Sequence, residues 1–264
     1  MVEVLNKKHK QQGLKALAVY FLFILFVISP QLYALEFDQS LFENERELER
    51  YFEQADQLRR ADLATFHEHI DELIKHPDAN KTNLKQLIQL HEAYYAAMQG
   101  NYPRAFELTD RLSASEQRPM RIRALTLAIN MSAFDRKWSK GLQHIYTLEN
   151  FLSAISSRSQ LNRIYSVFST FYLQLGKYQQ SLKYAEKELE YSNDYDKCNA
   201  YQNNINAIIK LETLRFEDHL VQKALNSCEY AEDELSYSLI IELVARSLMN
   251  IDDKSALDRL LLNL

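Results

Sequence analysis

The amino-acid sequence predicts an all-α protein, and three observations lead to that prediction. Only four glycines and four prolines occur in 264 residues, too few turn formers for a protein built from strands. Apolar residues recur at three- and four-residue spacing, for example at Leu84, Leu87 and Ile88, as on one face of a helix. The segment GNYPRA at 100–105 returns in degraded form as GKYQQS at 176–181, so helices are expected to recur in pairs.

The first 34 residues have the layout of an export signal. A lysine-rich stretch from Lys7 to Lys15 precedes an uninterrupted apolar run at 16–28. Ser29 and Pro30 break the run, and Ala34 supplies a small residue at the expected cleavage point. Residues 1–34 are therefore either a cleaved signal peptide or a retained signal anchor. In both cases the remainder is expected in the periplasm, where an anchor would hold it at the inner membrane.

The charge balance narrows the choice of partners. The chain has 31 basic and 36 acidic side chains, a formal net charge of −5, and loss of the lysine-rich segment would make the remainder more acidic. Nucleic acid and anionic lipid both bind basic surfaces. We therefore expect no nucleic-acid partner, and membrane contact only through the N-terminal segment.

The rest of the chain is expected to divide into two parts. Residues 35–80 predict an N-terminal helical hairpin, and residues 81–264 predict about five antiparallel helix pairs. Prolines in first helical turns and polar N-cap residues indicate where several of these helices begin. These residues are Pro103 and Pro119 for first turns, and Thr82, Ser157 and Asp196 for N-caps.

The repeated segment resembles the tetratricopeptide (TPR) family over residues 82–262. That family has a small residue late in the first helix, Gly before the turn, Tyr after it, and Ala in the second helix. The first and third copies match this pattern specifically, whereas the others rest mainly on register. The positions are Ala93, Gly100, Tyr102 and Ala105; Ile129, Arg136, Trp138 and Gly141; Ser169, Gly176, Tyr178 and Ser181; Ala207, Leu214, Phe216 and His219; and Val244, Asn250 or Ile251, and Ala256.

The resemblance implies a right-handed α-solenoid that serves as an interaction scaffold without catalytic activity. The aromatic residues after the turns are 36 to 40 residues apart, so the helices should be longer than those of the 34-residue family repeat. In such solenoids the first helices line a concave groove. The family's groove positions fall on Tyr94, Arg123, Thr126, Asn130, Arg163, Ser166, Thr170, Tyr201 and Asn204.

Two of these groove residues suggest a ligand chemistry. Arg123 and Arg163 hold the same repeat position, and two guanidinium groups could grip a carboxylate or phosphate by bidentate hydrogen bonds. The alternative is that both are ordinary solvated or salt-bridged residues. The 16 tyrosines are better explained by packing between helices than by a ligand site.

No pattern of catalytic or metal-binding residues emerges. His67 and His69 are two residues apart and face different ways on a helix, and His67 with Asp71 would give only two metal ligands. The run with Glu186, Glu188 and Glu190 is expected to be a solvated helix face. No glycine-rich phosphate loop or Gly-x-Ser-x-Gly elbow occurs. We therefore predict no enzyme activity, metal site or cofactor.

The two cysteines, Cys198 and Cys228, fall at opposite ends of the two predicted helices of the fourth copy. Antiparallel helices bring those ends together, and an oxidising compartment permits a disulfide. The alternative is a pair of separate buried thiols.

A narrower resemblance links the chain to the exported N-terminal sensory TPR regions of bacterial membrane-bound GGDEF-type diguanylate cyclases. It rests on the segment 57–62, on Arg123-Ala124-Leu125 leading to Asn130, and on 175–178 before Tyr184-Ala185. The printed sequence contains no cyclase signature. The resemblance therefore implies a sensory or interaction module.

The apolar segment 256–264 leaves three expectations open: a homodimer contact, a partner-docking face, or a reading frame truncated before a membrane helix and output domain. The leading functional hypothesis is an exported scaffold that binds a protein or peptide as a sensor or adaptor. The alternatives are an extracytoplasmic sensor region for a small anionic ligand, from a truncated diguanylate cyclase-type signalling protein, and an assembly factor of the cell envelope.

Overall fold

A computed structural model describes residues 35, 37–212, 214–215 and 218–250. In these residues the protein is all-α, with no strand. No helix within these ranges has both the length and the hydropathy needed to cross a bilayer. The predicted export segment 1–34, Phe216 of the fourth copy, and the segment from Ile251 to the end lie outside the described residues.

The first of two compact units ends at Leu84. A short 3-10 helix, Gln39–Phe42, precedes α1 (Glu45–Ala61) and α2 (Leu63–Lys75), which pack against each other. Asp62 separates these two helices because its carboxylate accepts the backbone N–H groups of Ala64 and Thr65 at the start of α2.

The second unit begins at Lys85, inside α3, so the division lies a few residues beyond the predicted boundary at residue 80. Its helices follow one another with short connections. They are α3 (Thr82–Met98), α4 (Tyr102–Leu112), α5 (Arg118–Phe134), α6 (Trp138–Glu149), α7 (Arg158–Gln174), α8 (Tyr178–Tyr191), α9 (Lys197–Ile208), α10 (His219–Tyr230) and α11 (Glu234–Asn250).

Contacts between these helices follow a regular order. Each odd-numbered helix from α5 to α9 packs against the even-numbered helix that follows it, and α5, α9 and α11 also pack against the helix before them. In addition, α5 contacts α7, α7 contacts α9, and α9 contacts α11.

One turn recurs between the helices. Four residues, Gly100, Arg136, Gly176 and Glu232, have a left-handed backbone, with φ of 74°, 56°, 76° and 54°. The next residue in each case donates its N–H to the carbonyl five residues earlier, at 2.8 to 3.0 Å. This is the Schellman ending of a helix, which satisfies carbonyls that the helix leaves unpaired. The second copy, which its sequence supported mainly by register, therefore has the same turn as the first and third.

Small residues lie at two close contacts between helices. Ser169 of α7 and Ser181 of α8 are buried, and each hydroxyl donates to the backbone carbonyl of the other at 3.0 and 2.9 Å. A Cβ atom added to Gly141 of α6 would lie 2.1 Å from Cε2 of Phe171. Small side chains therefore permit close helix packing within the α7–α8 pair and between α6 and α7.

The expected helix starts agree with the structure in part. Pro103 and Pro119 lie in the first turns of α4 and α5, and the Ser157 hydroxyl accepts the Gln160 N–H at the start of α7. Asp196 has the N-cap position of α9, but its side chain makes no capping bond and its backbone is helical, with φ of −79° and ψ of −16°. Thr82 is itself the first residue of α3.

Candidate functional site

The predicted groove residues differ in their accessibility. Arg123 is 2% exposed and is among the largest fully buried side chains of the described residues. Arg163, one repeat later on α7, is half-buried. The two arginines therefore do not form a matched pair of exposed guanidinium groups. Tyr94, Thr126 and Asn204 are also buried, whereas Asn130 and Thr170 are half-buried like Arg163.

Burial of these residues follows from their helices. Other helices cover most of the surface of α5 from Pro119 to Ala133. Buried polar side chains in that range therefore cannot present an oxygen or nitrogen atom to a ligand. Thr126, for example, satisfies its hydroxyl within α5 by donating to the Ile122 carbonyl at 2.8 Å. The predicted groove positions that keep partial contact with solvent are Asn130, Arg163, Ser166, Thr170 and Tyr201.

The most unusual polar group of the second unit is Glu188 on α8, whose side chain is completely buried. Asn203 of α9 donates its amide N–H groups to the two carboxylate oxygens at 3.1 and 2.9 Å. Asn199, one turn earlier on the same helix, donates to Oε1 at 3.0 Å. Asn203 also donates to the Ser166 hydroxyl of α7, which itself hydrogen-bonds to Glu188. One carboxylate thus joins three helices.

The electrostatics of this cluster oppose ionisation. Burial raises the pKa of Glu188 to about 7, while the hydrogen bonds from Asn203, Ser166 and Asn199 oppose that rise. The negative charge of Asp196 adds to the rise. Both protonation states of Glu188 are therefore populated near neutral pH.

The prediction that Glu188 belongs to a solvated acidic face is wrong. Glu186 and Glu190 are exposed, but Glu188 follows the buried Ser181 by seven residues and Tyr184 by four, so it lies on the apolar stripe of α8. A second signal was present in Asn199 and Asn203, whose four-residue spacing puts two amides on one face of α9. Sequence reasoning missed both because it treated the glutamates as one charge run.

The histidine segment of the first unit is arranged as a packing contact. His69 is buried, and its Nε2 lies 2.7 Å from the Tyr51 hydroxyl of α1. Burial lowers the pKa of His69, with an opposing effect of Glu72. His67 points elsewhere, with Nδ1 3.6 Å from an Asp71 oxygen. Across the described residues no group of three or more His, Cys, Asp and Glu side chains has metal-binding geometry.

Several tyrosines form a layer between α7 and α8. The rings of Tyr172 and Tyr184 stack with centroids 5.5 Å apart, and Tyr165 continues the stack 6.2 Å from Tyr184. The Tyr184 hydroxyl donates to Glu149 at 2.7 Å. Burial and that hydrogen bond raise the pKa of Tyr184. These tyrosines therefore pack between helices.

Cys198 and Cys228 form a disulfide that joins the start of α9 to the end of α10, with Cα atoms 4.5 Å apart. The bond lies in a cluster of buried apolar residues from α9, α10 and α11.

A comparison of the chain with protein-family models and with curated proteins gives no match.

Proposed function

We propose that the second unit is a TPR-like α-solenoid that binds a protein or peptide partner, as an exported sensor or adaptor without catalytic activity. The strongest support is the pattern of contacts between its helices: α5 packs against α7, α7 against α9, and α9 against α11. Solenoid repeats stack in this way, each against its neighbours. The shared turn at Gly100, Arg136 and Gly176 supports three of the repeats.

The partner surface we propose is the row of first helices α5 and α7. Asn130, Arg163 and Thr170 keep partial exposure there, and their amide, guanidinium and hydroxyl groups supply hydrogen bonds of the kind that peptide backbones and side chains accept or donate. A rigid helical surface lowers the conformational cost of binding an extended segment.

Site-specific photocrosslinking in intact cells tests this surface. A photoreactive amino acid at Asn130 or Thr170 should trap one partner species. The matched control is Tyr146 of α6, which is 71% exposed but lies on a second helix. Equal capture from all three positions, or capture from Tyr146 alone, would contradict the proposed surface. Circular dichroism melts of each variant show whether the fold is retained.

We further propose that the chain is exported to the periplasm. The lysine-rich, apolar N-terminal segment supports export, and the Cys198–Cys228 disulfide is typical of an oxidising compartment. Cell fractionation, with thiol labelling before and after reduction, tests both points. Recovery of the protein in the cytoplasm with two free thiols would contradict export.

A further inference from the structure

The contact between α8 and α9 joins two apolar clusters. One contains buried residues of α5 to α8, such as Ile129 and Phe168, and the other contains buried residues of α9 to α11, such as Ile205 and Val221. The centre of the contact is polar, because Glu188 lies there with Asn199 and Asn203 as its partners. The strength of the contact between α8 and α9 therefore depends on whether the Glu188 carboxyl group is protonated and on whether water reaches it.

Glu188 has neutral hydrogen-bond partners: two amides and a hydroxyl. The charged residues of the surrounding helices are otherwise engaged or add negative charge. On α7, Arg158 donates to the Glu190 carbonyl oxygen at 2.6 Å. On α9, Lys197 donates to Asp194 at 2.7 Å, and the preceding Asp196 repels the carboxylate. The full set of charged residues comprises Arg158 and Arg163 on α7, Lys183, Glu186, Lys187 and Glu190 on α8, Lys197 on α9, and Asp194 and Asp196 before it.

We propose that Glu188 is a proton-operated latch that holds α9 against α8 when its carboxyl group is protonated and weakens as the pH rises toward neutrality. In the closed state the carboxyl group is neutral and shielded from water, accepts hydrogen bonds from the Asn203 and Asn199 amides, and donates its own O–H to the Ser166 hydroxyl oxygen. In the open state water solvates the ionised carboxylate, and the proton passes to solvent. A buried carboxylate without a cation is costly, whereas a protonated one needs only hydrogen-bond partners.

The sign of the pH dependence follows from the two states. The closed carboxyl has a pKa raised to about 7, and the open one approaches the ordinary value of 4.5. Between these two pKa values the closed state holds one more proton than the open state, so the opening equilibrium grows about tenfold for each pH unit. Above pH 7 both states are ionised and the dependence levels off.

Hydrogen exchange of the whole chain at pH 5 to 8 tests the latch. Amide protection factors in α8 and α9, which already correct for the intrinsic pH dependence of exchange, should fall up to about tenfold per pH unit between pH 5 and 7. In Glu188→Gln the fall should disappear, since a carboxamide does not titrate. Glu190→Gln is the matched control, because Glu190 is exposed on the same helix, and it should behave like the unmodified protein.

A second variant keeps the test valid if Glu188→Gln does not fold. Asn203→Ala removes a donor that favours the ionised carboxylate, so the levelling-off should move above pH 7. The carboxyl ¹³C shift of Glu188 should follow the same movement. Protection in α8 and α9 that is independent of pH, or that falls equally in Glu188→Gln, would overturn the latch.

Discussion

At the residue scale, the recurring turn has two members without glycine, Arg136 and Glu232, although its left-handed backbone favours glycine. Arg136 adopts φ of 56° where the equivalent positions are Gly100 and Gly176. A left-handed conformation costs a side chain with a Cβ about 1–2 kcal/mol, and glycine avoids most of that cost. Arg136→Gly should therefore stabilise the protein by about 0.5–1 kcal/mol, measured by urea unfolding.

The comparison variant for this turn is Ser139→Gly. Ser139 is exposed and lies in the first turn of α6, three residues after Arg136, where the backbone is helical. The same replacement should there destabilise by up to about 1 kcal/mol. If Ser139→Gly stabilised the protein, or Arg136→Gly destabilised it, the backbone φ would not determine the sign of the stability change.

Gly141 should tolerate no side chain. The Phe171 ring occupies the space of its Cβ, so Gly141→Ala should destabilise by about 1–3 kcal/mol, as over-packed cores do. In the double variant with Phe171→Leu, the alanine should cost less than it does beside the phenylalanine. Leu142→Ala at the adjacent exposed position should change stability little. If Gly141→Ala destabilises the protein equally with and without the Phe171→Leu replacement, the contact with the Phe171 ring is not the cause of the destabilisation.

At the element scale, the disulfide joins α9 and α10, whose connection does not use the common turn in its described residues. After α9 the chain continues through short-range turns, with the Leu211 N–H bonded to the Ile208 carbonyl at 2.8 Å, before α10 begins at His219. The bond closes a loop of 30 residues. In the chain-entropy model such a loop contributes about 3–4 kcal/mol, so Cys198→Ser with Cys228→Ser should lower stability by that order.

Calorimetry of the oxidised protein, the reduced protein and the double serine variant measures that effect. Reduction and substitution should lower the melting temperature similarly. A control in which Cys198 and Cys228 are both replaced by alanine separates the lost bond from the burial of two hydroxyls. An unchanged melting temperature on reduction would contradict a stabilising bond in solution.

Sequence reasoning could predict the helical class, because it follows from the local periodicity of apolar residues. It could also place Gly141, Ser169 and Ser181 at equivalent positions of a repeat. It could not predict burial of Arg123 or Glu188. Whether a charged residue is covered depends on the helix packed over it, and α9 brings Asn199 and Asn203 to Glu188 from another part of the chain. The interpretation of Glu188 was wrong because it assigned one environment to the whole run of glutamates and did not consider which helix face each one occupies.

At the scale of the whole molecule, the two units should respond to pH in opposite directions. In the first unit, burial lowers the pKa of His69 below 6.5, so stability from its neutral form is complete above that value and is lost as the pH falls through it. In the second unit, Glu188 has a pKa of about 7. Its contribution to the free energy of unfolding should fall by on the order of 3 kcal/mol as the pH rises from about 4.5 to 7. Amide exchange resolved by residue should show α1 and α2 loosening in acid while α8 and α9 tighten.

His69→Gln and His67→Gln form the matched pair for the first unit. His69 is buried beside Tyr51, whereas His67 on the same helix is only partly buried. The pH dependence of exchange in α1 and α2 should be reduced in His69→Gln and unchanged in His67→Gln. A common direction of change in both units would contradict the two separate titrations.

Trp138 is the only tryptophan of the chain, and it packs edge-on against Phe171 with ring centroids 5.8 Å apart. It belongs to the cluster of α5 to α8 and not to that of α9 to α11. The protein thus carries an intrinsic fluorophore on one side of the Glu188 contact. Emission should stay constant while α9 detaches and should change only when the α5–α8 cluster itself unfolds, so one optical signal distinguishes opening of the latch from loss of the fold.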